Sequence, residues 1–454
     1  MTRLLLARRT AALVATTLLF GCGGGGTHPS AATGVATTSN VQAVSVDAGP
    51  TGQFPNMLTT SVTICVPGTN TCQTIADVQV DTGSSGLRLL ASAITIPLPS
   101  VAATGGGTYS ECVAFADGTA WGALATADVR LADETASSMS LQLIQDNGAG
   151  APVPPSCSAQ GAPENSLAAL GANGVLGVGI FLQDCGAYCA SVADNIYYTC
   201  TSGGVCAAAT IPLALQLNNP VAFFAQDNNG VIVQLPAIAA TGATPVAGNL
   251  IFGIGTQSNN TLTGTPIGVP VAGAGAGVFT ATYAGTTFAN GFLDSGSTEL
   301  YFNDATLPTC SATSPLGDLS SFYCPGVTTA LSAIPISLTL TGSNGNSVAA
   351  TASVANAQFL FSQMTANLDA FDDLAGPAGA VVPNAFDLGA PFFFGRSVFT
   401  AFEQRTTTSG SGPFFALQPN PVMQATEQAE PGDDEDGCRK HRLDSSPIQV
   451  RDRE

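Results

Sequence analysis

The sequence predicts an all-β protein built from two similar halves, and two observations carry that prediction. Short runs of β-branched and apolar residues are separated by Gly, Pro, Asn and Asp, the punctuation of strands and turns. One local pattern also occurs twice: "VQVDTGSSGLRLL", Val78 to Leu90, returns as "NGFLDSGSTELYF", Asn290 to Phe302. In each, an apolar run ends in an acid, and small hydroxyl and Gly residues follow. Asp81-Thr82-Gly83-Ser84-Ser85 aligns with Asp294-Ser295-Gly296-Ser297-Thr298 with only Ser/Thr exchanges, 213 residues apart. Each copy has a companion about 95 residues downstream, Leu176-Gly177 in "ANGVLGVGIF" and Leu388-Gly389 in "AFDLGAPFFF". A single run of this kind reads as an Asx-type turn closing a hairpin. Paired runs with companions at matching distance point to an internal duplication.

The segments follow in order. Arg3, Arg8 and Arg9 open the chain, and Ala11 to Phe20 form an apolar core too short to span a bilayer comfortably. Residues 1–21 are therefore expected to be a signal peptide. The run "LLFGC" fits the bacterial lipobox, which makes Cys22 the expected lipidated residue; the plain alternative is a secretory signal cut nearby. Gly23, rather than Asp, follows Cys22, and by resemblance to known sorting signals this favours the outer membrane. Residues 22–50, rich in Gly, Ser, Thr, Ala and Val, read as a flexible tether. Two β-lobes are expected over 51–245 and 246–420. From residue 421 the composition turns to mixed charge with few apolar residues, which reads as a disordered tail. The "DDEDG" run there lacks calcium-loop spacing.

Cysteine usage fits an oxidising compartment. Apart from Cys22, ten cysteines lie between Cys65 and Cys324, and Cys438 stands alone in the tail. Near neighbours are Cys65/Cys72, Cys185/Cys189, Cys200/Cys206 and Cys310/Cys324, with Cys112 and Cys157 left over. Connectivity does not follow from spacing alone. Zinc at Cys185 and Cys189 is the alternative to a disulfide there.

Missing residues exclude whole classes of chemistry. The net charge is −19, and between Gly23 and Asn420 the only Lys or Arg are Arg88, Arg130, Arg396 and Arg405. Nucleic-acid binding needs basic patches, so no nucleic-acid partner is expected. The two histidines, His28 and His441, fall in the tether and the tail. A body without His hosts no Ser-His-Asp triad or Cys-His pair. A body without Lys has no P-loop, and the "GAGAG" run at Gly273–Gly277 reads as a loop. No metal or other cofactor is expected, and carboxylates must carry any acid–base work.

The two acid loops resemble those of the pepsin-like aspartic peptidases. In that family each of two β-lobes supplies an Asp-Thr/Ser-Gly-Ser/Thr loop, and the two acids meet between the lobes. The resemblance covers roughly Phe54 to Leu417. It extends to "LIFGIGT", like the strand opening the second lobe, and to "FFFGRSVFTAFEQ", like the C-terminal helix and strand. It implies a bilobal double β-barrel with pseudo-two-fold duplication and a catalytic pair, Asp81 and Asp294. It implies bracing of the loops by Thr82 and Ser295, close approach at Gly83 and Gly296, and orientation of the carboxylates by Ser84 and Ser297. The whole also resembles an uncharacterised group of exported bacterial proteins, classed as a domain of unknown function, that carry this first motif with "SSGLR".

The expected activity is that of a cell-envelope aspartic endopeptidase, acting as a monomer on a peptide or protein in the inter-lobe cleft. Only the N-terminal lipid would meet the membrane. The alternative is a binding lipoprotein of the same fold without turnover. A glycosidase would need an aromatic-lined groove, which one Trp and seven Tyr make a poor fit. The family pattern is departed from at three places. The expected flap, Cys112 to Leu131, has Asp117-Gly118-Thr119 where the family has a Tyr. Phe115 and Trp121 flank that turn, placed either to cover substrate or to pack within the hairpin. Arg88 stands where the family usually has Trp and is expected to pair with an acid such as Asp117. Asp387 replaces an apolar residue, and Ala390 stands where the family commonly has Asp.

Overall fold

The computed structural model describes residues 40–420, apart from 147, 149, 272–275 and 380–383. The expected signal peptide, Cys22, both histidines, most of the Gly273–Gly277 run and the tail with Cys438 lie outside those residues. Strand β1 (Val41–Asp47) comes first, then β2 (Met57–Cys65), β3 (Cys72–Asp81) and β4 (Ser85–Leu90). A hairpin follows, β5 (Thr108–Ala114) with β6 (Thr119–Leu131), then β7 (Glu134–Ile144) and β8 (Gly174–Val178). Next are β9 (Tyr197–Cys200), β10 (Cys206–Ala208), β11 (Gly230–Leu235), β12 (Val246–Phe252) and β13 (Ile267–Gly268). The second half runs β14 (Phe279–Tyr283), β15 (Thr286–Leu293), β16 (Leu300–Phe302), β17 (Ile334–Thr341), β18 (Ser347–Val354), β19 (Ala375–Gly376) and β20 (Ala385–Leu388). It closes with β21 (Arg396–Ala401), β22 (Thr406–Thr407), β23 (Gly410–Ser411) and β24 (Phe414–Pro419).

Six strands of the first half close into a barrel in the order β6-β7-β4-β8-β3-β2, with β2 pairing back onto β6. A register shift between Ala127 and Val129 lets the long β6 bend, so that it serves both the barrel and the β5 hairpin. Val80, Leu87, Leu176 and Val178 fill the interior and are essentially inaccessible to solvent. In the second half seven strands run β18-β17-β14-β15-β20-β16-β19. This lobe departs from a full second barrel: among the described residues its edge strands, β18 and β19, do not pair. A two-residue edge strand such as β19 offers too few backbone groups to close a ring.

The duplication is visible in the pairing. β8 runs parallel to β3 and antiparallel to β4; β20 runs parallel to β15 and antiparallel to β16. In both halves an acid loop therefore links two strands that flank a shared central strand. The two halves are joined by β1, β12, β11, β21 and β24, which pair in that order, and β1 also pairs with β2. β11 and β12, on either side of the expected boundary at 245/246, are themselves partners. Residues 41–47, expected in the tether, are a strand instead: Val44 and Val46 alternate inward against the core while β12 satisfies the backbone.

Five disulfides join Cys65–Cys72, Cys112–Cys157, Cys185–Cys189, Cys200–Cys206 and Cys310–Cys324. The zinc alternative at Cys185 and Cys189 is thereby replaced, and the two leftover cysteines pair with each other. Disulfides of this number fit export to an oxidising compartment. No helix among the described residues is long and apolar enough to cross a membrane.

Candidate active site

Each acid sits where its strand runs out. Asp81 is the last residue of β3, opposite Gly177 of β8, and Asp294 directly follows β15. The loops then interlock by reciprocal hydrogen bonds. Thr82 N donates to Ser295 Oγ at 3.1 Å, and Ser295 N donates to Thr82 Oγ1 at 2.9 Å. Thr82 Oγ1 donates onward to Leu293 O at 3.0 Å, and Ser295 Oγ to Val80 O at 2.8 Å. Each hydroxyl thus donates to the opposite lobe's backbone and accepts from the opposite loop. Both residues are buried, so every one of these groups would be costly to leave unpaired. Gln79 Nε2 adds a bond to Gly296 O at 2.7 Å.

This frame brings the two carboxyls close enough for each to feel the other's charge. The glycines allow the approach. A methyl group at Gly83 would lie 2.6 Å from Asp294 Cγ, and one at Gly296 would lie 2.8 Å from Asp81 Cγ. Gly83 N donates to Asp81 Oδ1 at 2.6 Å, and Ser84 Oγ donates to Asp81 Oδ2. In the second loop Gly296 N donates to Asp294 Oδ1 at 2.8 Å, and Ser297 Oγ lies 3.1 Å from Asp294 Oδ2. Burial pushes Asp294 well above the usual carboxylate range, and the neighbouring Asp81 and Asp387 push it further. Two neighbouring carboxyls do not both ionise cheaply.

A cavity of about 830 Å³ opens over the pair. Phe115, Asp117 and Val175 line it from the first half, and Glu299, Tyr301 and Phe322 from the second. The β5–β6 turn closes with Phe115 N donating to Gly118 O, which places Phe115 and Asp117 at the cavity. Trp121 is elsewhere: it is buried, its Nε1 donates to Ala151 O at 3.0 Å, and its ring meets Tyr198 edge-on. Its role is packing behind the hairpin, the second of the two placements expected for it.

Arg88 does not pair with Asp117. It is buried in the first half, bonded to Glu111 at 2.6 Å and to Asp184 at 3.3 Å, with Tyr197 capping Asp184. A fully buried guanidinium needs nearer and drier acids than a cavity-side turn supplies. Sequence reasoning also missed Glu299. It is 6% exposed, its Oε2 has no hydrogen-bond partner, and burial pushes its carboxyl up to about 8. Its one visible signal was an acid standing among apolar residues next to the second loop. Among the described residues no group of His, Cys, Asp or Glu is arranged to hold a metal ion.

Fold and site together define an all-β protein of two similar halves whose acid loops meet and place two neighbouring carboxyls at a cavity. The chain belongs to the family described as protein of unknown function (DUF3443), which matches residues 36–417. Curated proteins give no match to the sequence.

Proposed function

We propose that the protein is an aspartic endopeptidase of the pepsin type, with Asp81 and Asp294 as its catalytic pair. The observation that carries this reading is the reciprocal Thr82–Ser295 interlock, which brings the two acid loops together beneath a cavity that both acids line. Asp81 accepts from both Gly83 and Ser84, whereas Asp294 shares its serine with Asp387. That imbalance favours charge on Asp81 and the proton on Asp294. A water held between the carboxyls loses a proton to Asp81 as its oxygen attacks the peptide carbonyl, while Asp294 gives its proton to the carbonyl oxygen. The tetrahedral intermediate collapses with cleavage of the C–N bond as Asp81 passes its proton to the leaving nitrogen and Asp294 takes one back from a hydroxyl of the intermediate, which restores the pair. No group outside the chain is needed.

The test is long incubation of the purified protein with an unfolded protein, from strongly acidic to neutral pH, with fragments read by mass spectrometry. Cleavage in a bounded acidic window supports the reading; intact substrate at every pH overturns it. One observation favours the second reading, a binding protein without turnover: the turn over the cavity presents Phe115 and Asp117 and no tyrosine. For location we propose lipidation at Cys22 and anchoring in the outer membrane. Cys22→Ser should release the protein from the detergent-soluble membrane fraction; unchanged processing and location would contradict the anchor.

A further inference from the structure

Ser84 serves one carboxylate, whereas Ser297 stands between two. Its Oγ lies 3.1 Å from Asp294 Oδ2 and 2.6 Å from Asp387 Oδ2. A hydroxyl has one proton and donates it to one acceptor at a time. Asp387 is 5% exposed, and its Oδ1 has no hydrogen-bond partner. A buried carboxylate with an empty acceptor is costly. Burial accordingly raises Asp387 well above the usual carboxylate range, with Ser297 opposing the rise and Asp81 adding to it. The strand registers place Val175 of β8 at the matching position in the first half. Here the duplication is broken by an acid set next to the pair.

We propose that Asp387 is a positioning residue that joins Asp81 and Asp294 in one proton-sharing unit, with the Ser297 hydroxyl as the link that decides where the pair's proton rests. When Asp387 is protonated, its O–H donates to Ser297 Oγ, and the serine hydroxyl is free to donate to Asp294, which then carries charge at low cost. When Asp387 is ionised, the serine hydroxyl turns to it. Asp294 then loses a donor, gains a negative neighbour and keeps the proton. The titratable groups facing Asp387 are Asp81 at the end of β3, Asp294 after β15, Glu299 ahead of β16 and Tyr301 on β16, its cross-strand neighbour. Asp117, from the β5–β6 turn, acts on Tyr301. None of these is a cation, so nothing in the group offsets an ionised Asp387.

The proposal rests on the same carboxyl pair as the proposed function, but its readout needs no turnover. Aspartate side-chain carboxyl carbons are followed by NMR from strongly acidic to mildly alkaline pH in the wild type, Asp387→Val and Asp387→Asn. Valine restores the residue of the first half. It should lower the pH at which Asp294 gives up its proton by about one unit, a tenfold loss of proton affinity. Asparagine, uncharged but still able to accept from Ser297, should give a smaller fall, and it keeps the test open if the valine variant does not fold. In a Ser297→Ala background the change Asp387→Val should move Asp294 markedly less, because the link is gone. A shared titration of Asp81 and Asp294 that neither Asp387 variant moves overturns this proposal alone. Independent titration of the two acids in the wild type overturns it together with the proposed function.

Discussion

A methyl group added at Gly83 would meet both oxygens of Asp294 at 2.7 Å, closer than real side chains approach. Gly83→Ala should therefore cost about 1–3 kcal/mol by overpacking and push the carboxyls apart; urea unfolding and the cleavage assay read the two effects. Glu299 gives a pH-dependent counterpart. Its folded value near 8 lies above the unfolded 4.5, so the protonated folded form is stable at low pH and stability falls as pH rises between the two values. Glu299→Gln should leave stability unchanged near pH 4 and gain on the wild type by at most roughly 1.4 kcal/mol for each pH unit up to about pH 8. Thermal unfolding at several pH values checks this, and a gain that does not grow with pH would refute the buried-acid account. The acid loops were legible in the sequence because one motif occurs twice. The partners of Arg88 were not, since Glu111 and Asp184 lie 23 and 96 residues away along the chain and only the folded chain brings them together. Asp387 was visible as an acid in an apolar place, but its partner Ser297, 90 residues distant, was not.

Among the elements, the β5–β6 hairpin brings Phe115 and Asp117 to the cavity over the carboxyls. Cys112 on β5 is tied to Cys157 across 45 residues, and Trp121 on β6 packs on Tyr198 of β9. Closing a loop of that length corresponds to about 4 kcal/mol in the chain-entropy account, against about 2 for the short Cys185–Cys189 loop. Cys112→Ala with Cys157→Ala should thus lower the melting temperature more than Cys185→Ala with Cys189→Ala, by scanning calorimetry. Strand positions were readable where alternation and turn residues agree, as at β3 and β15. Strand β1 was missed because its surroundings are small and polar, so only pairing with β12 reveals that Val44 and Val46 have a core to face. The second lobe's open edge was equally hidden, because closure depends on strand lengths that turn residues do not specify.

At the scale of the whole molecule, the two halves share strand order around each acid loop, and strands from both halves, β1, β12, β11, β21 and β24, pair in one sheet. The similar halves were legible from the repeat and its companions, since a duplicated motif carries its strand neighbours with it, whereas the common sheet was not. The activity was not, because binding and turnover use the same fold. The central claim is that Asp81 and Asp294 hydrolyse peptide bonds by sharing one proton. The most direct measurement is the rate of cleavage of an unfolded protein against pH for the wild type, Asp81→Asn and Asp294→Asn. The account predicts a bell-shaped profile on the acidic side for the wild type. It predicts a loss of at least about a thousandfold in both variants, with the fold intact by circular dichroism, because asparagine keeps the shape and removes the shared proton. Equal rates in all three proteins across the whole range would contradict it.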